Sequence, residues 1–366
     1  MPATLRLKIL AGVILSLIWP GLVSPGWANP TVLNFISEIQ GDVRLKRSEW
    51  NDYQKADFGN DYQKADFGDV LNPSDQLELS PGASATVMCD NSRVWVVPAG
   101  KVSLVSDGCG PGQPRETRQN SRHRTRDSNQ TIPYIISPRN TALLNDRPVL
   151  RWNAVEGATS YRVKVRGRDL DWNTETSDTE IEYSGSSLQP DSYYLVIVET
   201  DTGKSSKGEQ GADLTFTLLD AQNAESVETE VSKLKQQPLT EEAEVLGLAY
   251  LYQHYDLKAE AIALLEGLLK GGSQKAAVYQ LLGDLYQQVG LSQQAKRRYL
   301  QALELVKGTE NLERQAQAQF GLGQVECSLR KQTQAIEWLT QAQTNYQKLG
   351  DRSKVKQVKQ WIEDCQ

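Results

Sequence analysis

The last third of the chain repeats one pattern of large and small residues, and this repeat limits the fold more than any other feature. Leu248-Ala249 recurs as Leu282-Gly283 after 34 residues (248 to 282) and as Leu322-Gly323 after a further 40 (282 to 322). A small residue also follows each pair at a matching distance: Ala261, Ala295 and Ala335. Small residues at such positions let two helices approach closely. A helix pair of this size cannot bury its apolar face alone, so the pattern predicts stacked pairs.

This pattern resembles the tetratricopeptide repeat (TPR), and it predicts an all-α solenoid over residues 220–366, with a capping helix from Ser353 to Cys365. In that family the first helix of each repeat lines a groove that binds peptides or protein surfaces. The resemblance therefore implies a partner-binding groove at Tyr250, Gln253, His254, Gln280, Asp284, Gln287, Phe320 and Gln324. The Lys and Asn clamp with which some relatives hold a peptide carboxylate is missing, which disfavours recognition of a chain end. His254 is more typical of a plain binding surface than of a ligand or base.

Residues 29–109 predict a separate all-β domain, because short alternating runs are divided by turn residues such as Pro81-Gly82 and Asp90-Asn91. Gly41-Asp42-Val43, Gly68-Asp69-Val70-Leu71 and the stretch from Ser80 to Ser92 resemble the FecR-like domain of bacterial envelope proteins. That resemblance implies a periplasmic domain for sensing or envelope binding, without catalysis. The cytoplasmic part and membrane span of true FecR regulators are not found in the sequence, which disfavours transmembrane signalling.

Residues 133–219 predict a second β domain. Leu150 and Trp152 alternate before a Gly157-Ala158 turn, and a further alternating run follows Leu188-x-Pro190-x-x-x-Tyr194. These marks resemble a fibronectin type III-like β-sandwich. The resemblance implies that Trp152 is buried and that Tyr194 forms a tyrosine corner, with its hydroxyl bonded to nearby backbone. It implies a spacer or binding module and assigns no ligand.

Residues 1–28 read as a secretory signal peptide. Arg6 and Lys8 precede an apolar run, and Gly26-Trp27-Ala28 places small residues around a cleavage point. An uncleaved anchor is the alternative, which the shortness of the run and Pro20 disfavour. We therefore expect a mature chain that starts at Asn29, has no transmembrane span and is periplasmic or secreted.

Residues 110–132 predict a disordered basic linker, with five arginines between Arg115 and Arg126. Two interpretations stay open: a solvated tether, or a contact for an anionic envelope polymer. No aromatic residues interleave with the arginines, which favours the tether and argues against nucleic acid. The formal net charge of −6 also argues against a general nucleic-acid binder.

The four cysteines predict one disulfide and leave a second undecided. Cys89 and Cys109 flank the last hairpin of the first β domain, where a disulfide is favoured over a reactive thiol. Cys327 and Cys365 fall near the ends of two helices, and the sequence does not decide whether they pair. No cysteine lies in a C-x-x-C pair or near a histidine in sequence, so we expect no metal site.

The stretch from Asn51 to Gly68 contains one nonapeptide twice, NDYQKADFG at 51–59 and again at 60–68. Two copies with one Gly each cannot build a stacked array of calcium-binding rungs. An insertion of nine residues within one strand would turn every later side chain to the opposite face. We therefore predict that one copy loops out of the fold and that the duplication is a copying accident rather than a functional array.

No catalytic motif appears in the sequence: there is no nucleophile elbow, phosphate-binding loop or zinc-protease signature. We expect no enzyme activity and no cofactor. The favoured function is an exported scaffold or adaptor that holds a protein or peptide partner in its TPR groove, with the β modules for spacing or envelope attachment. The alternative is an envelope sensor or regulator of the FecR type that acts in signal transduction.

Overall fold

The computed structural model describes residues 33–50, 62–111, 131–190, 192–209 and 214–366. Along these residues, strands of a first β module are followed by strands of a second and then by helices. This order confirms the predicted fold class at the level of β sheets followed by helical repeats. The described residues all belong to one compact unit, Thr31–Gln366. The signal peptide, the first nonapeptide copy and the arginines from Arg115 to Arg126 lie outside the described residues.

The first β module, residues 33–111, consists of two four-stranded antiparallel sheets, ordered β4-β1-β6-β7 and β3-β2-β5-β8. Its strands are β1 (Asn34–Gln40), β2 (Val43–Lys46), β3 (Gln63–Lys64), β4 (Val70–Leu71), β5 (Gln76–Leu79), β6 (Ser84–Met88), β7 (Val94–Val96) and β8 (Val102–Leu104), before the short helix α1 (Val105–Cys109). Alternate side chains such as Ile36, Leu45 and Leu77 fill the space between the sheets. Cys89 and Cys109 are joined in the predicted disulfide, with 5.2 Å between their Cα atoms.

The second β module, residues 131–218, is a sandwich of a three-stranded sheet (β14-β11-β9) and a five-stranded sheet (β10-β16-β15-β12-β13). The strands are β9 (Ile135–Ser137), β10 (Thr141–Leu143), β11 (Val149–Trp152), β12 (Tyr161–Gly167), β13 (Leu170–Thr176), β14 (Glu180–Glu182), β15 (Tyr194–Thr200) and β16 (Thr215–Leu218), with a 3₁₀ helix at Ser206–Gly208. Trp152 is buried in the core between the sheets. The hydroxyl of Tyr194 accepts a hydrogen bond from the backbone N–H of Gln189 at 2.7 Å, as a tyrosine corner requires.

The repeat region, residues 221–365, is a row of antiparallel helices. These are α2 (Ala221–Lys235), α3 (Glu241–His254), α4 (Lys258–Lys270), α5 (Ala276–Gln288), α6 (Ser292–Leu305), α7 (Leu312–Ser328), α8 (Gln332–Lys348) and α9 (Arg352–Cys365). The small residues Gly283 and Gly323 lie where two helices approach closely, as the sequence pattern predicts. A Cβ added at Gly283 would lie 2.7 Å from the Tyr299 ring, and one at Gly323 would lie 2.5 Å from Leu339. Helix pairs α5–α6 and α7–α8 thus pack closely because these positions lack a larger side chain.

Helix α9 closes the end of the row, as the sequence predicts. Its Val358 is fully buried against α7 and α8. Cys365 is joined to Cys327 of α7, with 5.8 Å between the Cα atoms, which decides the pairing that the sequence left undecided. The second disulfide therefore holds the last helix to the last repeat.

Within the described residues, no helix is both long and apolar enough to cross a membrane.

Candidate functional site

The predicted groove is the inner face of the repeat region, formed by α3, α5 and α7. The structure divides its residues into three groups that differ in what they contact. One residue packs against the first β module, four form a hydrogen-bonded row inside the repeats, and three lie apart from both. The role of these residues in binding a partner stays a prediction.

The first β module covers the beginning of this inner face with apolar side chains. The ring of Phe35 lies 5.7 Å from the ring of Tyr250, centroid to centroid. At Gly68 the chain comes so close to α3 and α5 that an added Cβ would lie 2.3 Å from Ala277 Cβ. Phe67 lies beneath the ammonium of Lys275, which is 5.3 Å from the centre of its ring. Tyr250, a predicted groove residue, is therefore in contact with the chain's own β module.

A buried arginine connects the first β module to α7. The guanidinium of Arg47 donates to Asp75 of its own module at 2.7 Å and to Glu313 of α7 at 2.9 and 3.0 Å. The backbone carbonyl of Val70 accepts a further bond at 2.5 Å. Burial raises the pKa of Glu313 by more than the charge of Arg47 lowers it. The contact is thus a hydrogen-bonded ion pair removed from solvent. Loss of one partner would leave the other charge buried and would strongly destabilise the fold.

A second buried arginine makes the reciprocal contact. Arg314 of α7 forms an ion pair with Asp69 and donates to the backbone carbonyl of Phe67 at 3.4 Å. Gln63 adds two bonds to Glu313, accepting from its backbone N–H at 3.1 Å and donating to its carboxylate at 3.2 Å. Gln63, Phe67 and Gly68 all belong to the second copy of the nonapeptide. That copy therefore supplies part of the contact between the first β module and the repeats.

Four of the predicted groove residues form a row of hydrogen bonds around Tyr299. Gln280 donates to Asp284 at 3.1 Å, and Gln287 donates to Gln324 at 3.2 Å. The Tyr299 hydroxyl lies between the two pairs, 2.8 Å from Asp284 Oδ1 and 2.7 Å from Gln287 Oε1. Burial, and then the charge of Asp284, raise the pKa of Tyr299, so the hydroxyl stays protonated and acts as a donor. These amides are thus largely engaged with one another.

The remaining three predicted residues lie apart. The ring of Phe320 makes an edge contact with Trp361 of the capping helix, with 6.3 Å between the centroids. Gln253 is half-buried and His254 is exposed at the end of α3, where the histidine ring lies edge-on to Tyr255 at 5.3 Å. Among the predicted groove residues, His254 is thus the most exposed, and Gln253 beside it is half-buried.

The second β module contacts the turns between the paired helices rather than the inner face. The backbone N–H of Ala142 donates to the carbonyl of Asp256 at 3.0 Å, and Lys258 donates to the carbonyl of Asn140 at 2.7 Å. The side chain of Asn140 donates to the carbonyl of Gln288 at 2.9 Å. Both β modules are therefore held by the repeats, on separate surfaces.

The sequence did not reveal Phe35, Arg47, Glu313 and Arg314 as contact residues. The partners of Arg314 and Arg47 lie 245 and 266 positions away in the chain, and no local pattern relates residues at such distances. The one available signal was the nonapeptide itself, whose second copy leads directly into Gly68-Asp69-Val70-Leu71. Among the described residues, no group of three or more His, Cys, Asp or Glu side chains could hold a metal ion.

Comparisons with known proteins agree with the helical repeats. Residues 274–348, which include α5 to α8, match the tetratricopeptide repeat family. No curated protein matches the chain. Among solved structures, MamA is 19% identical over a match that covers 39% of this chain and 91% of MamA, with a TM-score of 0.28. BtubC (BKLC) from P. vanneervenii is 16% identical, with 39% and 72% coverage and a TM-score of 0.29. TPR-like repeats of the kinesin light chain type from Podosopora anserina are 20% identical, with 39% and 86% coverage and a TM-score of 0.29.

Residues 274–348 are thus similar to TPR repeats. Repeats of this kind form extended binding surfaces for other proteins, so the match supports a protein-interaction scaffold.

Proposed function

We propose that the protein is an exported, non-enzymatic scaffold that binds a partner protein along the part of the TPR inner face left open by its own β module. The observation that supports this proposal is the position of His254 and Gln253. They lie at the end of α3, on the same helix as Tyr250 but beyond its contact with Phe35. The inner face is suited to binding a protein surface, since the first β module already occupies its beginning with apolar and ionic contacts.

The two β modules, in this proposal, are a FecR-like and a fibronectin type III-like domain that space the repeats or attach them to the envelope. The two-sheet sandwich, the buried Trp152 and the Tyr194 hydroxyl bond support the second assignment. An envelope sensor would need the first β module to separate from the repeats on a signal. The buried pairs of Arg47 and Arg314 favour a fixed contact and hence the scaffold.

Site-specific photocrosslinking tests the binding surface. A photoreactive amino acid replaces His254 in the full chain, and a matched protein carries it at the exposed Glu304 of α6. Crosslinking in the native envelope should capture one defined partner from position 254 and not from position 304. The purified partner should then bind the Gln253→Ala/His254→Ala variant at least about tenfold more weakly than the wild type. Unchanged affinity would exclude this part of the inner face.

Tyr250 and Phe320 are poor positions for this test because each packs inside the chain, against Phe35 and Trp361 respectively. Their replacement would disturb the fold together with any binding. The exported state has its own test. N-terminal sequencing should find a mature chain that starts at Asn29 in the envelope fraction, and a cytoplasmic pool that keeps Met1 would contradict export.

A further inference from the structure

A cleft between the second β module and the repeats has the features of a small-ligand site. Its volume is about 370 Å³, near the lower end of the range for small-molecule pockets. Tyr134, Arg151 and Trp152 line it from the three-stranded sheet side, and Tyr286 and Gln294 line it from α5 and α6. Ligand sites are common at such junctions between modules. None of the predicted groove residues lines this cleft, so it is separate from the inner face.

The charges in the cleft are only partly paired. Arg151 forms an ion pair with Glu266 of α4 at 3.2 Å, across the junction, and the hydroxyl of Tyr286 also bonds to Glu266. Arg297 and Arg298 line the same cleft from α6. Within the described parts of the chain, neither forms an ion pair with a carboxylate: Arg298 donates to the amide of Gln301 at 2.9 Å and also bonds to Tyr286, and Arg297 is exposed. Two guanidinium groups are thus available to an anion.

Two lining residues also carry polar atoms without partners. Trp152 and Gln294 are both more than nine-tenths buried. The indole N–H of Trp152 and the carbonyl Oε1 of Gln294 have no hydrogen-bond partner in the described structure. A buried polar atom without a partner costs about 1–3 kcal/mol, so a polar group bound beside either atom would remove that cost. An acceptor is needed for the indole N–H and a donor for the amide oxygen.

We propose that this cleft binds a small organic oxyanion, a carboxylate or phosphate, that also carries a hydroxyl or amide group. The oxyanion lies against Arg297 and Arg298, since guanidinium groups bind planar or tetrahedral oxyanions through paired hydrogen bonds. The neutral polar group of the ligand lies toward Trp152 and Gln294. The charged lining residues, three arginines and two glutamates (Glu180 and Glu266), carry a net formal charge of +1, which favours an anion over a cation.

Isothermal titration calorimetry of the full chain tests this site with three probes. N-acetylglutamate supplies carboxylates and an amide, inorganic phosphate supplies the tetrahedral oxyanion alone, and methylamide-capped N-acetylglutamine is neutral and of similar size. We expect one of the two anions to bind at millimolar concentration or below and the neutral probe not to bind. Tighter binding of N-acetylglutamate or of phosphate distinguishes the two oxyanion types. No binding of either anion, or equal binding of the neutral probe, would overturn the proposal.

Matched double variants localise the binding. Arg297→Gln/Arg298→Gln should weaken anion binding by at least about tenfold. Arg168→Gln/Lys101→Gln removes the same charge from exposed positions outside the cleft lining and should bind within about twofold of the wild type. If both double variants bind the anion equally weakly, the effect comes from net charge alone. If Arg297→Gln/Arg298→Gln binds the anion as well as the wild type does, the binding site lies elsewhere. Circular dichroism of each variant verifies that it is folded.

Discussion

At the residue scale, Gly68 marks the closest approach between the first β module and the repeats. Its φ is +75°, and an added Cβ would lie 2.3 Å from Ala277 Cβ. We expect Gly68→Ala to lower the free energy of unfolding by about 1–2 kcal/mol for the left-handed backbone and by a further 1–3 kcal/mol for the clash. Gly82→Ala is the matched control, because φ is +83° there and no atom lies within 4 Å. Urea unfolding measures both variants. If they lose the same free energy of unfolding, Ala277 moves away from the added Cβ without a cost in stability.

Glu260 is a second residue whose substitution should change the stability of the fold, because its carboxyl group is largely buried. Its Oε1 accepts from the backbone N–H of Leu144 at 3.0 Å, while its Oε2 is buried without a partner in the described structure. Burial raises the pKa of this carboxyl group in the folded state. The ionised form therefore destabilises the fold at pH values above the folded pKa. As the pH falls through the folded pKa toward the unfolded value, this penalty disappears.

We expect Glu260→Gln to raise the free energy of unfolding by about 1 kcal/mol at neutral pH, since the amide keeps the acceptor and removes the charge. The gain should vanish below about pH 4, where the carboxyl group is protonated in both states. Urea unfolding at several pH values measures the difference. The exposed Glu304→Gln should change stability little at any of these pH values, and a gain for Glu260→Gln that does not depend on pH would refute the electrostatic cause.

At the scale of elements, the first copy of the nonapeptide (51–59) falls in sequence between β2 and β3, which pair as an antiparallel hairpin. The second copy supplies β3 and the turn that contacts the repeats, so the strands keep their faces and any extra length falls before Tyr62. We expect deletion of Asn51 to Gly59 to leave the full chain folded, with equal or slightly higher stability. A longer loop costs only about 0.6 kcal/mol per doubling of its length. A loss of several kcal/mol in urea unfolding would show that both copies are needed.

At the scale of the whole molecule, the sequence predicts what depends on local spacing. The 34-residue offset places Gly283 against Tyr299, and the marks at Trp152 and Tyr194 place a buried ring and a backbone-bonded hydroxyl. The sequence does not predict that the first β module occupies the beginning of the inner face. That contact depends on Arg47 and Glu313, which are 266 positions apart, and on the shape of two surfaces that exist only after folding. The sequence thus predicts Tyr250 as a groove residue, but not its contact with Phe35.

The first β module and the repeats share one apolar core, and we therefore expect them to unfold cooperatively. Phe35, Phe67 and Met88 of the first β module belong to the same buried cluster as Leu246 and other residues of the repeats. Since unfolding either part would expose this cluster and leave Arg47 and Arg314 without their partners, we expect both to unfold in one transition.

Ile36→Ala tests this cooperativity, because Ile36 is fully buried in the first module's own core, in a cluster without residues of the repeats. The substitution should lower stability by about 2–5 kcal/mol. In a single transition, the urea midpoint of the helical circular dichroism signal must fall with it, although no helix has changed. Phe35→Ala, at the shared core, serves as the positive control. If the helical midpoint moves for Phe35→Ala and stays fixed for Ile36→Ala, the two parts unfold separately and are joined only by a surface contact.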